Sequence, residues 1–297
     1  MSEQSISLDS SEILPHVSSF KRFWKVFLGR GVVIFGAVII SIVVFIAAFA
    51  PWVAPYDPYE TDLKNALLQP CWEHPLGTDT IGRDTLSRIV YGSRTSLMVG
   101  LISVSIAASL GLTTGLIAAY FGGLTYSILM RFVDAMMAFP MMLRALLLAA
   151  VLGSGVKNVM IALGIGLMSV YARLMCGQAL SIKESDYVIA TRAIGASNAR
   201  IMVRHIVPNG LPPLIVMMTM QMGFAILMEA SLSFLGIGIE APTATWGSMV
   251  SEGYKHLYTN PVLSLAPGLA IMMLVLAFNM VGDGIRDALD PRLRGTL

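Results

Sequence analysis

Arg144 and Glu229 are ionisable side chains near the middle of otherwise apolar stretches, and they are the first candidates for chemistry in this chain. Arg144 falls within residues 132–152, and Glu229 falls within residues 213–235. Charged groups in a lipid bilayer are costly, so they usually face the protein interior or a water-filled path. Three interpretations remain open: a structural ion pair between the two, a water-filled path lined by both, or contact of Arg144 with a substrate carboxylate.

The other reactive side chains do not form a catalytic or metal-binding pattern. The four histidines are dispersed, and no nucleophile stands at a recognisable spacing from a base. The stretch Gly153-Ser154-Gly155-Val156-Lys157 is too short for the Gly-x-x-x-x-Gly-Lys-Ser/Thr phosphate loop. We therefore expect this chain to be no enzyme and to hold neither a metal nor a cofactor of its own.

The composition indicates a membrane protein. Of the 297 residues, 56% are hydrophobic and 13% are charged, whereas soluble domains carry about 25% charged residues. The net charge of +2 is too small to indicate a nucleic-acid partner. A helix needs about 20 apolar residues to cross a bilayer. Six segments satisfy this length: 31–50, 95–120, 132–152, 159–180, 213–235 and 263–281.

Lysine and arginine set the expected orientation. With the N-terminus inside, the inner segments hold twelve of these residues and the outer segments hold six, which is the cytoplasmic bias of membrane proteins. Both termini are therefore expected in the cytoplasm. We predict that residues 1–20 are disordered and that the basic, aromatic stretch 20–30 lies along the inner membrane surface. A docking helix for a partner protein is the alternative for that stretch.

A polar loop, residues 181–212, separates the fourth and fifth apolar segments. Helix-forming runs flank Gly195, which tolerates the positive φ of a turn, and Pro208 is expected to end the loop. We predict a helix–turn–helix that projects into the cytoplasm. An ordinary inner loop, whose arginines merely satisfy the orientation rule, is the alternative. Three small side chains would let another protein surface approach closely: Ala190, Ala193 and Ala196.

The outer segment between the first two spans ends in a dense polar motif. Asp79 or Thr80 is predicted to cap a short helix at the outer membrane interface, half in lipid and half in water. Polar side chains of that helix would lie apart from its apolar flank. The notable positions of the motif are Asp79, Gly82, Arg83, Asp84 and Arg88.

Taken together, these motifs resemble the dipeptide and oligopeptide (and nickel) permeases of ABC importers, and the second of their two permease subunits in particular. The outer motif carries His-Pro-Leu-Gly-Thr-Asp at 74–79, Gly-Arg-Asp at 82–84, Ser-Arg at 87–88 and Gly-x-Arg-x-Ser-Leu at 92–97. The resemblance extends over roughly residues 20–294. Further similar stretches are Phe139-Pro140, 229–236, Pro242 with Trp246-Gly247, and 282–291.

The resemblance implies a function for the 181–212 loop. In that family a Glu-Ala-Ala triplet, three further residues, a glycine and a proline thirteen residues later mark a coupling helix that meets a partner ATPase. Ile189 stands in the place of the Glu and Thr191 in that of the last Ala, so contact is expected to depend on shape and apolar surface. The ATPase-coupling residues implied are Ile189, Ala190, Thr191, Arg192, Ala193, Gly195, Ala196 and Pro208.

The resemblance also implies a permease subunit that forms a path for peptides across the plasma membrane of a prokaryote. Expected partners are the lipid bilayer, a homologous second permease, two ATPases that use ATP and Mg, and an external substrate-binding protein, with no nucleic acid. Nickel chelates, opines or sugars are alternative cargoes. Other classes are a non-transporting scaffold and an ion-coupled secondary transporter. The latter would need midplane carboxylates, of which only Glu229 is present.

The expected fold class is an all-α membrane protein with six transmembrane helices, the ABC importer permease fold and a cytoplasmic coupling helix. We divide the chain into three parts. Residues 1–30 form a cytoplasmic tail with a basic amphipathic helix, and residues 31–93 form the first transmembrane helix and the outer loop. Residues 94–297 form a core of five transmembrane helices that contains the coupling loop 181–212.

Overall fold

A computed structural model describes residues 19–289, and within that range the chain is helical, with one isolated β-bridge between Thr78 and Asp84. Short 3₁₀ and π turns occupy Leu63–Asn65 and Met202–Ile206. The α-helices, in chain order, are α1 (Ser19–Leu28), α2 (Gly31–Ala48), α3 (Ala50–Val53), α4 (Thr85–Phe121), α5 (Gly123–Ala138), α6 (Met141–Leu152), α7 (Val156–Lys183), α8 (Asp186–Ala193), α9 (Asn198–Ile201), α10 (Val207–Phe234), α11 (Trp246–Tyr254) and α12 (Val262–Leu289).

Five helices in the described range are long and apolar enough to cross a membrane. They are α2, α4, α7, α12 and the continuous helix Asn198–Phe234, which joins α9, the π turn and α10. The pair α5 and α6 passes the same test together but is bent by 97°. Counted as one broken span, this pair gives six spans, so the predicted all-α architecture is confirmed.

Small residues set the closest helix contact, between α4 and α7. A Cβ atom on Gly111 would lie 2.4 Å from the Cβ of Tyr171, and one on Gly115 would lie 2.3 Å from the carbonyl oxygen of Ala172. Neither position has room for a methyl group, so the two backbones approach more closely than larger residues would permit. α4 and α7 therefore form a tightly packed centre against which α10 also packs.

The second span begins earlier than the sequence indicated. α4 starts at Thr85, and Asp84 caps it by accepting a hydrogen bond from the Ser87 amide at 2.7 Å. The prediction of a separate interfacial helix capped by Asp79 or Thr80 is therefore wrong. The prediction fails because Arg83 and Arg88 are buried. Both side chains are enclosed by protein, so this end of the helix has no water-facing polar flank.

The third span is also not the straight helix predicted over residues 132–152. α5 ends at Ala138, and Phe139 adopts an extended backbone conformation with φ −92° and ψ 136°. The residue before a proline is disfavoured in helical geometry because the proline ring crowds its backbone. Pro140 thus accounts for the break, and α6 leaves in a new direction.

The predicted division into three parts remains a prediction, and its boundary at residues 93–94 falls inside α4. The basic aromatic stretch does form a helix, α1, in which the rings of Phe23 and Phe27 stack at 5.8 Å. The expectation of disorder for residues 1–20 concerns residues outside the described range, apart from the first two of α1.

Candidate functional site

The predicted helix–turn–helix is present between α7 and α10. α8 ends in a turn in which the Ala196 amide bonds the Thr191 carbonyl at 3.3 Å and the Gly195 amide bonds the Arg192 carbonyl at 3.0 Å. This pair of bonds is the Schellman arrangement, which needs a left-handed residue after the helix. Gly195 provides it with φ +82°. Ser197 then caps α9, so the change of direction is defined by local sequence.

Buried side chains and polar bonds fix this turn to the membrane-spanning helices. Val188 on α8 and Ile201 on α9 are fully buried in one apolar cluster with the C-terminal ends of α4 and α7. The Tyr120 hydroxyl on α4 donates to the Asn198 side chain at 2.8 Å. The Lys183 ammonium donates to the Tyr120 carbonyl at 3.1 Å. The turn is therefore packed and bonded directly against α4 and α7.

The opposite face of the turn is apolar and uncovered. Ile189 is half exposed, and Ile194, at the tip, is 85% exposed. Exposed apolar groups gathered at one place mark a surface that contacts another protein or the membrane. Of the predicted coupling residues, five are exposed and two, Thr191 and Ala196, are partly buried. The exposed five are Ile189, Ala190, Arg192, Ala193 and Gly195.

Pro208 lies outside this surface, and the prediction that it ends the loop is wrong. The helix continues from Asn198 to Phe234 without a stop. Proline removes one backbone donor and crowds the preceding turn. The chain accommodates it with a wide π turn over Met202–Ile206, in which the Val207 amide bonds the Met202 carbonyl. The proline is thus absorbed into the start of the fifth span.

The outer motif forms a buried network of charges. The Asp79 carboxylate accepts from Nε of Arg83 at 2.6 Å and lies 3.3 Å from Nη1 of Arg88. Both guanidinium groups also reach Oε2 of Glu252 on α11, at 3.3 Å and 3.5 Å. Two cations and two anions therefore balance. The network joins the segment between α3 and α4, the start of α4, and α11.

A second set of contacts shapes the loop around Asp84. Nδ1 of His74 lies 2.9 Å from one Asp84 oxygen, while the other accepts from the Ser87 hydroxyl at 2.7 Å. At Gly82, φ is +82°, and an added Cβ would lie 1.8 Å from the Asp62 carbonyl oxygen. Only glycine fits there. All five predicted positions of the outer motif therefore hold this loop together.

Glu252 was missed by the sequence reasoning. It lies 169 residues beyond Arg83, in a stretch with no motif of its own, so no local pattern indicates the pairing. Burial raises the pKa of its carboxyl, an effect that the neighbouring Arg83 partly opposes. The ionised form of Glu252 therefore depends on its contacts with Arg83 and Arg88.

The predicted ion pair between Arg144 and Glu229 is wrong. No salt bridge in residues 19–289 joins them. The Arg144 guanidinium on α6 donates to the Ser169 hydroxyl on α7 at 2.8 Å. Glu229 is 1% exposed and accepts from Ser233, one turn further along α10, at 2.7 Å. Arg144 thus bonds a neighbouring helix, whereas Glu229 bonds within its own helix.

A different intramembrane ion pair is present. Arg173 on α7 pairs with Asp134 on α5. Both side chains are 52% exposed. Asp134 falls within the predicted span 132–152, so its charge was itself a sequence signal for this site. Arg131, one turn earlier on α5, lies along the same cleft.

Comparisons with known proteins agree with this architecture. The family described as binding-protein-dependent transport system inner membrane component matches residues 111–295, and the N-terminal transmembrane domain of oligopeptide transport permease C matches residues 18–70. A solved structure of the MetNI methionine ABC transporter has a TM-score of 0.57 at 19% identity, covering 69% of this chain and 98% of that one. That similarity concerns the fold.

Two curated relatives are similar over nearly the whole chain. The dipeptide transport system permease protein DppC of Alkalihalophilus pseudofirmus is 41% identical over 278 residues, which is 94% of this chain and 91% of the relative. The glutathione transport system permease protein GsiD of Escherichia coli O6:K15:H31 is 40% identical over 275 residues, covering 92% and 91%. With the family match and the helical core, these likenesses show that the chain belongs to the inner-membrane components of binding-protein-dependent transport systems.

Proposed function

We propose that the chain is one of two transmembrane subunits of an ATP-driven importer whose cargo is a peptide. The observation that carries this proposal is the apolar tip of α8, uncovered on one side and fixed to α4 and α7 on the other. The cargo class is supported by the curated relatives, which are named as dipeptide and glutathione permeases.

The α8 tip is proposed to dock on a partner ATPase. In place of an acidic residue it offers Ile189 and Ile194, so the contact is apolar and shape-dependent. Arg192 is less free to pair with an acidic partner, because its guanidinium lies 5.8 Å from the centre of the Tyr120 ring. ATP and Mg²⁺ would bind to the partner subunits.

α4 offers a mechanical connection between the two sides of the membrane. Its outer end carries Arg88 of the charge network, and its inner end carries Tyr120, which bonds the coupling turn. The 32 residues between them span roughly 50 Å at 1.5 Å per residue. Displacement of the turn would thus reach the outer loop, where we propose that a substrate-binding protein delivers cargo. ATP binding can drive this displacement only if it stabilises one conformational state of the transporter more than the other.

We further propose that both termini lie in the cytoplasm, as the lysine and arginine bias indicates. A homologous permease would complete the path. Of the two intramembrane candidates, Arg144 is the one proposed to line the path, because the residue as a whole is only partly buried. Glu229 is enclosed and bonded within its own helix, which favours a structural role.

The test combines cross-linking with uptake. Ala193→Cys in the assembled transporter is expected to cross-link to an ATPase subunit, whereas Leu101→Cys, exposed in the middle of α4, is not. Gly195→Asn tests the contact itself. Asparagine tolerates positive φ, and an added Cβ meets no atom within 4 Å, so the chain folds and only a docked partner is disturbed.

Labelled dipeptide uptake is expected to fall at least about tenfold in Gly195→Asn, which corresponds to about 1.4 kcal/mol of lost coupling. The matched control, Glu184→Asn, changes an exposed residue of the same segment away from the tip and should leave uptake unchanged. Normal uptake by Gly195→Asn, together with no cross-link at position 193 in an intact complex, would refute the docking proposal.

A further inference from the structure

The cleft between α5 and α7 contains charges at a depth where lipid would not tolerate them. Arg173 is ten residues from the inner end of α7, which places it about 15 Å inside that end. The hydrocarbon layer is about 30 Å thick, and α7 has 28 residues, so Arg173 lies within the layer. A half-exposed ion pair at this depth must face water or protein, because exposure of charges to lipid is strongly unfavourable.

The cleft is large enough for a small solute. It measures about 350 Å³, within the range of roughly 300–1,000 Å³ typical of small-molecule sites. Polar groups line one part of it, including the Tyr126 and Ser127 hydroxyls, and the apolar side chains of Met130 and Leu180 line another. Such a mixed lining suits a solute with charged ends and a short apolar body.

The charges of the cleft are unequal. Arg131 and Arg173 oppose the single carboxylate Asp134, and no carboxylate in residues 19–289 forms a salt bridge with Arg131. The excess is one positive charge, so the cleft attracts anions. An arginine that is already paired can exchange its carboxylate for another one, because a guanidinium has five donors in a planar fork.

We propose that this cleft is an inner-half binding site for a cargo that carries a free carboxylate, with Arg173 exchanging Asp134 for the cargo carboxylate as the cargo passes. The inference rests on the proposed peptide cargo, because a peptide with free termini supplies both a carboxylate for Arg173 and an ammonium for Asp134. It assigns to the path a site that is separate from Arg144.

Cysteine labelling tests whether the cleft is aqueous and cationic. In the complete transporter, with Cys71→Ser and Cys176→Ala as background, Ser127→Cys is treated with membrane-impermeant anionic and cationic methanethiosulfonates. With each rate divided by the reagent's rate with a free thiol in solution, the anionic reagent is expected to react roughly threefold or more faster than the cationic one, the effect of one unit charge about 6 Å away in water. Arg173→Met should remove that difference. No labelling, or no charge preference, would overturn the proposal.

Cargo competition tests the occupant. Millimolar Ala-Ala is expected to slow labelling of Ser127→Cys, whereas Ala-Ala amide, which lacks the carboxylate, is not. Equal protection by both, or by neither, refutes carboxylate recognition here. Uptake of labelled Ala-Ala by the unmodified transporter is measured alongside. Uptake without protection refutes this site and leaves the peptide importer intact, and absence of uptake refutes the proposed cargo itself.

Transport by Arg173 variants completes the test. Arg173→Met is expected to lower Ala-Ala uptake by about tenfold or more, the effect of losing a hydrogen bond to a charged group, and Arg173→Lys should restore part of it. The complex is purified and its subunits are quantified in each case. Normal uptake by Arg173→Met would overturn the proposal. Dissociation of the complex would do so as well, because it would assign the cleft to a subunit interface.

Discussion

Replacing Asp79 with asparagine should destabilise this chain by an amount that can be estimated from its contacts. Oδ1 of Asp79 accepts from the amides of Ile81 and Arg83 at 3.0 Å and 2.9 Å, and its Oδ2 contacts the guanidinium groups of Arg83 and Arg88. In Asp79→Asn the amide oxygen can keep both backbone bonds. The NH₂ group then replaces the oxygen that faced two cations, and those cations retain only Glu252.

The magnitude follows from burial. Arg88 is 1% exposed and Asp79 is 7% exposed, so water cannot replace the missing charge. Removing one partner from a buried ion pair costs about 3–5 kcal/mol. For a chain of this size we expect Tm to fall by roughly 10 °C. The lower Tm is measured by heating the detergent-solubilised transporter and then chromatographing it. The monodisperse peak of the variant should be lost at a lower temperature.

Asp57→Asn is the matched control. It removes a carboxylate from the same outer loop, but Asp57 is exposed and accepts only the Tyr59 amide, at 2.8 Å. Its Tm should stay within about 2 °C of the unmodified protein, as surface substitutions usually do. An unchanged Tm in Asp79→Asn, or an equal fall in both variants, would refute the view that the buried network stabilises the outer loop.

Three further predictions follow from the same geometry. Gly82→Ala should prevent normal expression of the folded chain, measured as detergent-stable protein, because the new Cβ would lie 1.8 Å from the Asp62 carbonyl oxygen. The raised pKa of Glu252 means that the folded state binds more protons than the unfolded state above pH 4.5. The Tm of the unmodified protein should therefore fall relative to Glu252→Gln as pH rises from 4.5, and parallel profiles would contradict this. Because Arg144 and Glu229 do not pair, the charge-swapped variant Arg144→Glu/Glu229→Arg should not recover uptake lost in the single variants, and recovery would restore the ion-pair interpretation.

The span-forming segments and the coupling turn could be predicted from the sequence because their signals are local. An apolar run of about 20 residues specifies a span whatever surrounds it, and a glycine between helix-forming runs specifies the turn. The bend at Phe139 had a local signal too, the proline that follows it. That signal was outweighed by the continuous apolar character of residues 132–152.

The pairing of charges could not be predicted, because it depends on which faces of distant helices meet. Arg144 and Glu229 stand at similar depths, yet depth does not determine direction around a helix axis, and each side chain bonds a different neighbour. Arg83 was assigned to the polar flank of an interfacial helix, although it is enclosed, as is Arg88. Their partner Glu252 belongs to a helix more than 160 residues away.

The uncovered tip of α8 has a consequence for biogenesis. In the proposed orientation, the newly made chain displays Ile189 and Ile194 to the cytosol until the proposed ATPase binds. Apolar groups displayed in this way favour aggregation and give chaperones and proteases a feature by which to recognise an orphan subunit. Balanced synthesis of all subunits would then govern how much of this chain survives in the cell.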